Sequence, residues 1–217
     1  MFIGHYGPAF GAKAAAKPIP LWVLFVAVQW LDVWWSIFVL TGVEKLRVVP
    51  GFTQGSALDL YYMPYTHGLL GALVLSALLG GIVALFIPQQ RALTFFVVAA
   101  AVFSHWICDL IVHVPDLPLY DNTLKVGFGL WRHEWLSLPL ELIFLAVGAW
   151  LYTRYVPAKP RSNLWLWIFV SAMAAVELYN AFGPPPASNN AMAIKALAAY
   201  GVLALLAGIV DRTRTRA

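Results

Sequence analysis

The sequence predicts an all-α fold, a polytopic transmembrane helix bundle of about six spans with two long outer loops. Three observations predict it. The chain is 61% hydrophobic and only 11% charged, more apolar surface than one soluble core of this length would hide. Six stretches reach the roughly 20 apolar residues that a spanning helix needs. The basic residues gather in short clusters between those stretches, where they read as topology signals and not as a nucleic-acid surface, despite the net charge of +4.

Residues 1–18 precede the spans. The short apolar start Met1-Phe2-Ile3 is followed by Lys13 and Lys17, and the next hydrophobic run is long enough to span. No cleavable signal peptide is therefore expected, and the first span is retained. The segment is either a half-helix buried among the spans or an amphipathic stretch on the cytoplasmic surface. As a helix, residues 5–17 would measure about 18 Å, close to the rise from Pro18 to Asp32. A hairpin about Pro18 and Pro20 would then set His5 beside Asp32.

Spans one to three are expected at 19–42, 66–87 and 92–114, and spans four to six at 135–156, 163–182 and 191–210. Gly183-Pro184-Pro185-Pro186 divides the last two, because proline lacks an N–H and disfavours a helical predecessor. No internal repeat or second domain is evident, so residues 1–217 read as one membrane domain. The basic residues Lys13, Lys17, Arg91, Arg154, Lys159, Arg161, Arg212, Arg214 and Arg216 fall on one side. Lys45, Arg47, Lys125, Arg132 and Lys195 fall on the other, which puts both termini in the cytoplasm. The connections 43–65 and 115–134 are then long outer loops, the kind that carries function. Ser56 followed by Asp59 resembles a helix-capping pair and suggests a short helix in the first loop. The sole cysteine, Cys108, excludes an intramolecular disulfide and any multi-cysteine metal motif.

The ionisable residues within the spans share a depth. At about 1.5 Å per helical residue, Asp32 lies about 21 Å above Pro18, and His105 and Asp109 lie about 21 and 27 Å above Arg91. His67, His113, Glu141, Glu177 and Lys195 also fall in the outer half. Charges in hydrocarbon are costly unless paired, hydrated or bound to an ion, so one polar cavity is expected below the outer loops. Glu141, Glu177 and Lys195 read as a buried ionic network with a structural role.

The run SHWICDLIVH places His105, Asp109 and His113 four residues apart on one side of the third span. His105 and Asp109 can share one ion. His113, about 12 Å from His105 along the axis, must support a ligand from behind, serve another ion or be unrelated. His67, Asp32 and His5 complete a set of nitrogen and oxygen ligands suited to zinc or another divalent metal. The alternative is that these side chains bond to one another and merely lock the helices.

In order, Gly4-His5, Asp32 in QWLDVWW, Thr66-His67 in MPYTHGLLGAL, and Ser104-His105 with Asp109 resemble the motifs of a bacterial family. That family comprises inner-membrane, metal-dependent hydrolases, itself distantly similar to zinc-dependent phospholipase C. The resemblance covers the first half of the chain. It departs from the family at Trp34 and Trp35, where a second aspartate and a histidine would stand, and near Met63 and Pro64, where a histidine and an arginine would. It implies a location in the bacterial inner membrane and a metal-assisted hydrolytic centre, with the departures pointing to one ion instead of two.

If the site is catalytic, Asp32 and Asp109 are ligands or base, His67 and His105 ligands, and His113 or His133 assists the leaving group of a lipid or phosphoester. A second reading is a non-catalytic subunit or assembly factor with protein partners in the membrane, which the abundance of aromatic side chains would suit. A third is a proton or solute transporter using the same layer as a relay. Haem held by His67 with His105 or His113 is a further possibility.

Overall fold

A computed structural model describes residues 1–158 and 160–215; Lys159 and Arg216, counted among the basic residues above, lie outside them. A 3-10 turn at Ile3–His5 leads into helix α1 (Tyr6–Ala15). The chain turns at 16–20 into α2 (Leu21–Val28) and α3 (Trp30–Leu40). Four long helices follow, α4 (Leu69–Phe86), α5 (Arg91–Val112), α6 (Glu134–Tyr155) and α7 (Pro160–Phe182), and then α8 (Asn189–Thr215) closes the bundle. Five of these helices are long and apolar enough to cross a membrane, or six spans if α2 and α3 count as one. Their outward faces are apolar, with Leu85, Phe86, Phe96 and Leu205 all exposed.

The first expected span is broken. Helices α2 and α3 meet at a 52° bend around Gln29, a fully buried residue whose Nε2 donates to the Phe2 carbonyl at 3.3 Å. No proline or glycine stands there, so the bend belongs to packing against the N-terminus.

The long loops hold strands instead of the expected short helix. β1 (Lys45–Val48) and β2 (Leu58–Tyr62) pair antiparallel, as do β3 (Leu117–Tyr120) and β4 (Thr123–Val126). Asp59 caps nothing. It sits on β2 directly opposite Arg47 and accepts from Arg47 Nη2 at 2.6 Å, while Ser56 Oγ accepts from the Leu58 N–H at 3.2 Å. Alternation in Leu58-Asp59-Leu60 with a cross-strand ion pair outweighs the capping signal. Lys125 Nζ donates to the Tyr61 carbonyl at 2.7 Å, tying the hairpins together, and Asn189 Nδ2 donates to the Leu46 carbonyl at 2.9 Å, tying α8 to them. We call this the hairpin end of the bundle.

Helix α1 is an interior helix, not a surface one: Tyr6, Ala9 and Phe10 are fully buried. Two glycines permit it. A Cβ at Gly148 on α6 would stand 2.3 Å from the Gly7 carbonyl oxygen, and one at Gly7 would stand 2.3 Å from that of Phe144. At the far end Lys13, 2% exposed, donates to the Lys17 and Ile19 carbonyls at 2.7 and 2.9 Å and pairs with Asp211 Oδ2 at 3.1 Å. Tyr152 donates to Asp211 Oδ1 at 2.7 Å. A buried lysine is tolerated because all its protons are used.

Candidate metal centre

The broken span, the segment before α4 and helix α5 bring four ligand-type residues together. His67 Nε2 stands 3.3 Å from Asp32 Oδ1 and 3.6 Å from Asp109 Oδ2. His105 Nε2 stands 3.1 Å from Asp109 Oδ2 and 3.6 Å from Asp32 Oδ1. Ligand atoms of Asp32, His67 and His105 lie within 4.8 Å of one another, and so do those of His5, His105 and Asp109. His105 and Asp109 do share the site, as their i,i+4 spacing requires.

His5 is fully buried and arrives through the α1 hairpin. It stacks on His105 with ring centroids 3.7 Å apart, and its Nε2 lies 3.2 Å from Asp109 Oδ1. Its carboxylate neighbour is thus Asp109, where the expected one was Asp32. His113 follows the last turn of α5, its Nε2 3.6 Å from Asp109 Oδ1. It belongs to neither ligand group. His133 is exposed at the start of α6 and also belongs to neither.

Each ligand is held from behind. His105 Nδ1 donates at 2.7 Å to the carbonyl of Val28, the last residue before the bend, where helix carbonyls lack partners of their own. The buried Glu44 accepts from the Thr66 hydroxyl at 2.6 Å and from the N–H groups of Tyr65 and Thr66 at 2.8 and 3.0 Å. With its one proton given to Glu44, the Thr66 hydroxyl accepts from His67 Nδ1 at 2.8 Å. Burial pushes the Glu44 carboxyl above its ordinary range, against the pull of the Thr66 hydroxyl. His113 Nδ1 donates to Asp116 Oδ1 at 2.8 Å. Tyr200 on α8 donates to Asp32 Oδ2 at 2.6 Å, and the Met1 amino group donates to Asp109 Oδ1 at 2.9 Å.

These outer bonds fix the tautomers. A neutral imidazole whose Nδ1 carries the proton presents a bare lone pair at Nε2, and in His67, His105 and His113 that lone pair faces carboxylate oxygen. His105 Nε2 and both ring nitrogens of His5 have no hydrogen-bond partner. Where the ring is neutral, acceptor faces acceptor, an arrangement that a cation between them or a second ring proton relieves. Ligands arranged tetrahedrally about zinc at about 2.0–2.1 Å stand about 3.3–3.4 Å apart, and the four imidazole–carboxylate edges here lie at 3.1–3.6 Å.

The expected ionic network does not form. Glu141 Oε2 accepts from the Phe2 and Gly4 N–H groups at 2.7 and 3.2 Å, and Glu177 is buried with no partner for Oε2. Lys195 is exposed and makes no ion pair among the described residues. The N-terminal residues take up Glu141, and Lys195, at the exposed rim of the same cavity, bridges to neither carboxylate. Tyr200, Glu44 and Asp116 are the supporting residues that sequence reasoning missed. Only Asp116 carried a signal, its spacing of three from His113. A cavity of about 710 Å³ opens beside Asp32, His67, Asp109 and His113.

No family model, no curated protein and no solved structure matches the chain.

Proposed function

We propose that the chain is a membrane-embedded metal-binding protein in which His67, His105, Asp32 and Asp109 hold one divalent ion, with zinc the best match to the donor set. His5 flanks the centre on the Asp109 side. The observation that carries this reading is the convergence of the His67 and His105 Nε2 atoms on the Asp32 and Asp109 oxygens at 3.1–3.6 Å. The Asp32 and Asp109 carboxylates, of which only Asp109 pairs with the Met1 amino group, also leave charge that a divalent cation offsets. A haem between His67 and His105 would need the gap that Asp32 and Asp109 fill.

We further read the centre as that of a metal-dependent hydrolase acting on a lipid or phosphoester, in keeping with the motif resemblance in the first half of the chain. The ion would supply Lewis acidity and a more acidic bound water. The protein's own groups do the rest. Asp32 and Asp109 set the charge of the site, Tyr200 and Val28 fix its orientation, and His113, held by Asp116 and facing the cavity, is placed to move a proton.

The test is purification in detergent, metal analysis, and assay of a chromogenic phosphodiester and of phospholipid before and after chelation. The reading expects about one equivalent of metal and hydrolysis that chelator stops and added metal restores. Absence of bound metal would end it. Metal without hydrolysis would leave the binding site and remove the enzyme, in favour of a subunit or assembly role.

A further inference from the structure

Helices α7 and α8 are pinned together at one end and part at the other. Near the C-terminus Ser162 Oγ donates to the Thr213 carbonyl at 2.8 Å, and Arg214 Nη1 donates to Asn163 Oδ1 at 2.6 Å. Toward the hairpin end the 710 Å³ cavity lies between them, walled by Val176 and Tyr179 on one side and Lys195 and Ala199 on the other. Val176 and Tyr179 are 45% and 69% exposed while lining it, so the cavity wall continues onto the outside of the bundle. Val176 sits about 9 Å before the end of α7, at the level of apolar helix surface. The cavity therefore has a lateral opening at the level of apolar helix surface, beside loop residues of 50–57 and 183–186 that line its hairpin end, and its floor is the candidate metal centre.

A lysine and a buried carboxyl with one unsatisfied oxygen face this space. Lys195 is the only lysine or arginine among the described residues lining it and makes no ion pair among them. Five residues before Tyr200 on the same helix, it lies about 7.5 Å from the Asp32 anchor along the axis. Glu177, 4% exposed, also lines the cavity and has no donor for Oε2. No salt bridge joins Lys195 to Glu177; Glu177 is met by the Ile3 N–H and the Asn180 side chain, and its Oε2 is left for a donor from outside the chain.

We propose that the gap between α7 and α8 is a lateral entrance for an aminophospholipid-like amphiphile, whose phosphate pairs with Lys195 and whose primary ammonium donates to Glu177. The proposal rests on the metal reading only in placing the head beside the centre. A zwitterion is the ligand chemistry that answers Lys195 and the open Glu177 oxygen at once, and the apolar rim keeps its chains in the bilayer. A primary ammonium carries the N–H donors that Glu177 Oε2 lacks, whereas a quaternary one carries none.

The experiment is native mass spectrometry of the detergent-purified full chain with phosphatidylethanolamine, phosphatidylcholine, phosphatidylglycerol and soluble glycerophosphoethanolamine, alongside metal analysis. Phosphatidylethanolamine should bind about tenfold tighter than phosphatidylcholine, the difference a charge-assisted hydrogen bond makes. Lys195→Gln should weaken it about tenfold, and Glu177→Gln should bring it down to the phosphatidylcholine level. Both variants should keep the metal content of the wild type. Equal binding of all three lipids, or no change in either variant, would overturn the proposal and leave Lys195 as a lysine reaching for the membrane surface. Soluble glycerophosphoethanolamine binding as tightly as the lipid would overturn it in favour of a free metabolite. A chain that binds no metal yet keeps the lipid preference and both variant effects would sustain the lipid site while ending the metal reading.

Discussion

Tyr200→Phe isolates the grip on Asp32. The phenol donates to Asp32 Oδ2 at 2.6 Å, while Oδ1 of the same carboxylate faces His67 and His105. Phenylalanine fills the same space, so the change removes a bond and opens no cavity. A hydrogen bond to a charged group contributes about 1.5–3 kcal/mol, and loss of a support behind a metal ligand costs about 10- to 100-fold in affinity. Tenfold is about 1.4 kcal/mol, so the two ranges describe one effect. Competition for zinc against a chromophoric chelator should show the dissociation constant rising by about 10- to 100-fold. Tyr152→Phe is the control. It deletes an equivalent bond, to Asp211 at 2.7 Å, at the opposite end of the bundle. It should lower the melting temperature and leave zinc affinity alone. Unchanged zinc affinity in Tyr200→Phe would refute the role given to Asp32.

Glu44→Gln should reverse the Thr66 relay. With the amide oxygen held by the Tyr65 and Thr66 N–H groups, the amide nitrogen faces the Thr66 hydroxyl and donates to it, so the hydroxyl turns to His67 Nδ1 and the imidazole proton moves to Nε2; nitrogen NMR of the ring should report the switch, and zinc affinity should fall. Gly148→Ala places a methyl carbon 2.3 Å from the Gly7 carbonyl oxygen, and because that neighbour is backbone, α1 must move by about 1 Å at about 1–3 kcal/mol. A melting temperature equal to the wild type would contradict the close α1–α6 contact. Lys13→Met removes the ion pair to Asp211, which keeps the Tyr152 hydroxyl and the Leu21 N–H, and should destabilise the protein by about 1.5–3 kcal/mol, read by chemical denaturation in detergent.

The helices were legible because hydrocarbon imposes a blunt composition rule, and the six apolar stretches met it. The bend at Gln29 was not, since VAVQWLD contains neither proline nor glycine and the cause is a contact with Phe2 far away in sequence. The strands were obscured by Ser56 and Asp59, whose local capping pattern competes with an alternation that matters only once Arg47 lies opposite. In the site, His67, His105, Asp32 and Asp109 stood out as polar groups in apolar runs. Tyr200 did not, because a tyrosine in a membrane helix reads as ordinary until its hydroxyl is seen on Asp32. Glu44 lies in a loop, where an acid carries no signal. The rotation of α8, which sets Lys195 at the exposed rim of the cavity, is set by packing that its near-uniform apolar sequence does not encode.

Metal content, measured by elemental analysis of wild type beside His105→Ala and Asp109→Ala, bears most directly on the centre. About one equivalent of divalent metal per chain is expected in the wild type and almost none in either variant, with all three proteins helical by circular dichroism. A wild-type chain free of metal, or variants that retain it in full, would mean that the lone pairs converge on no ion.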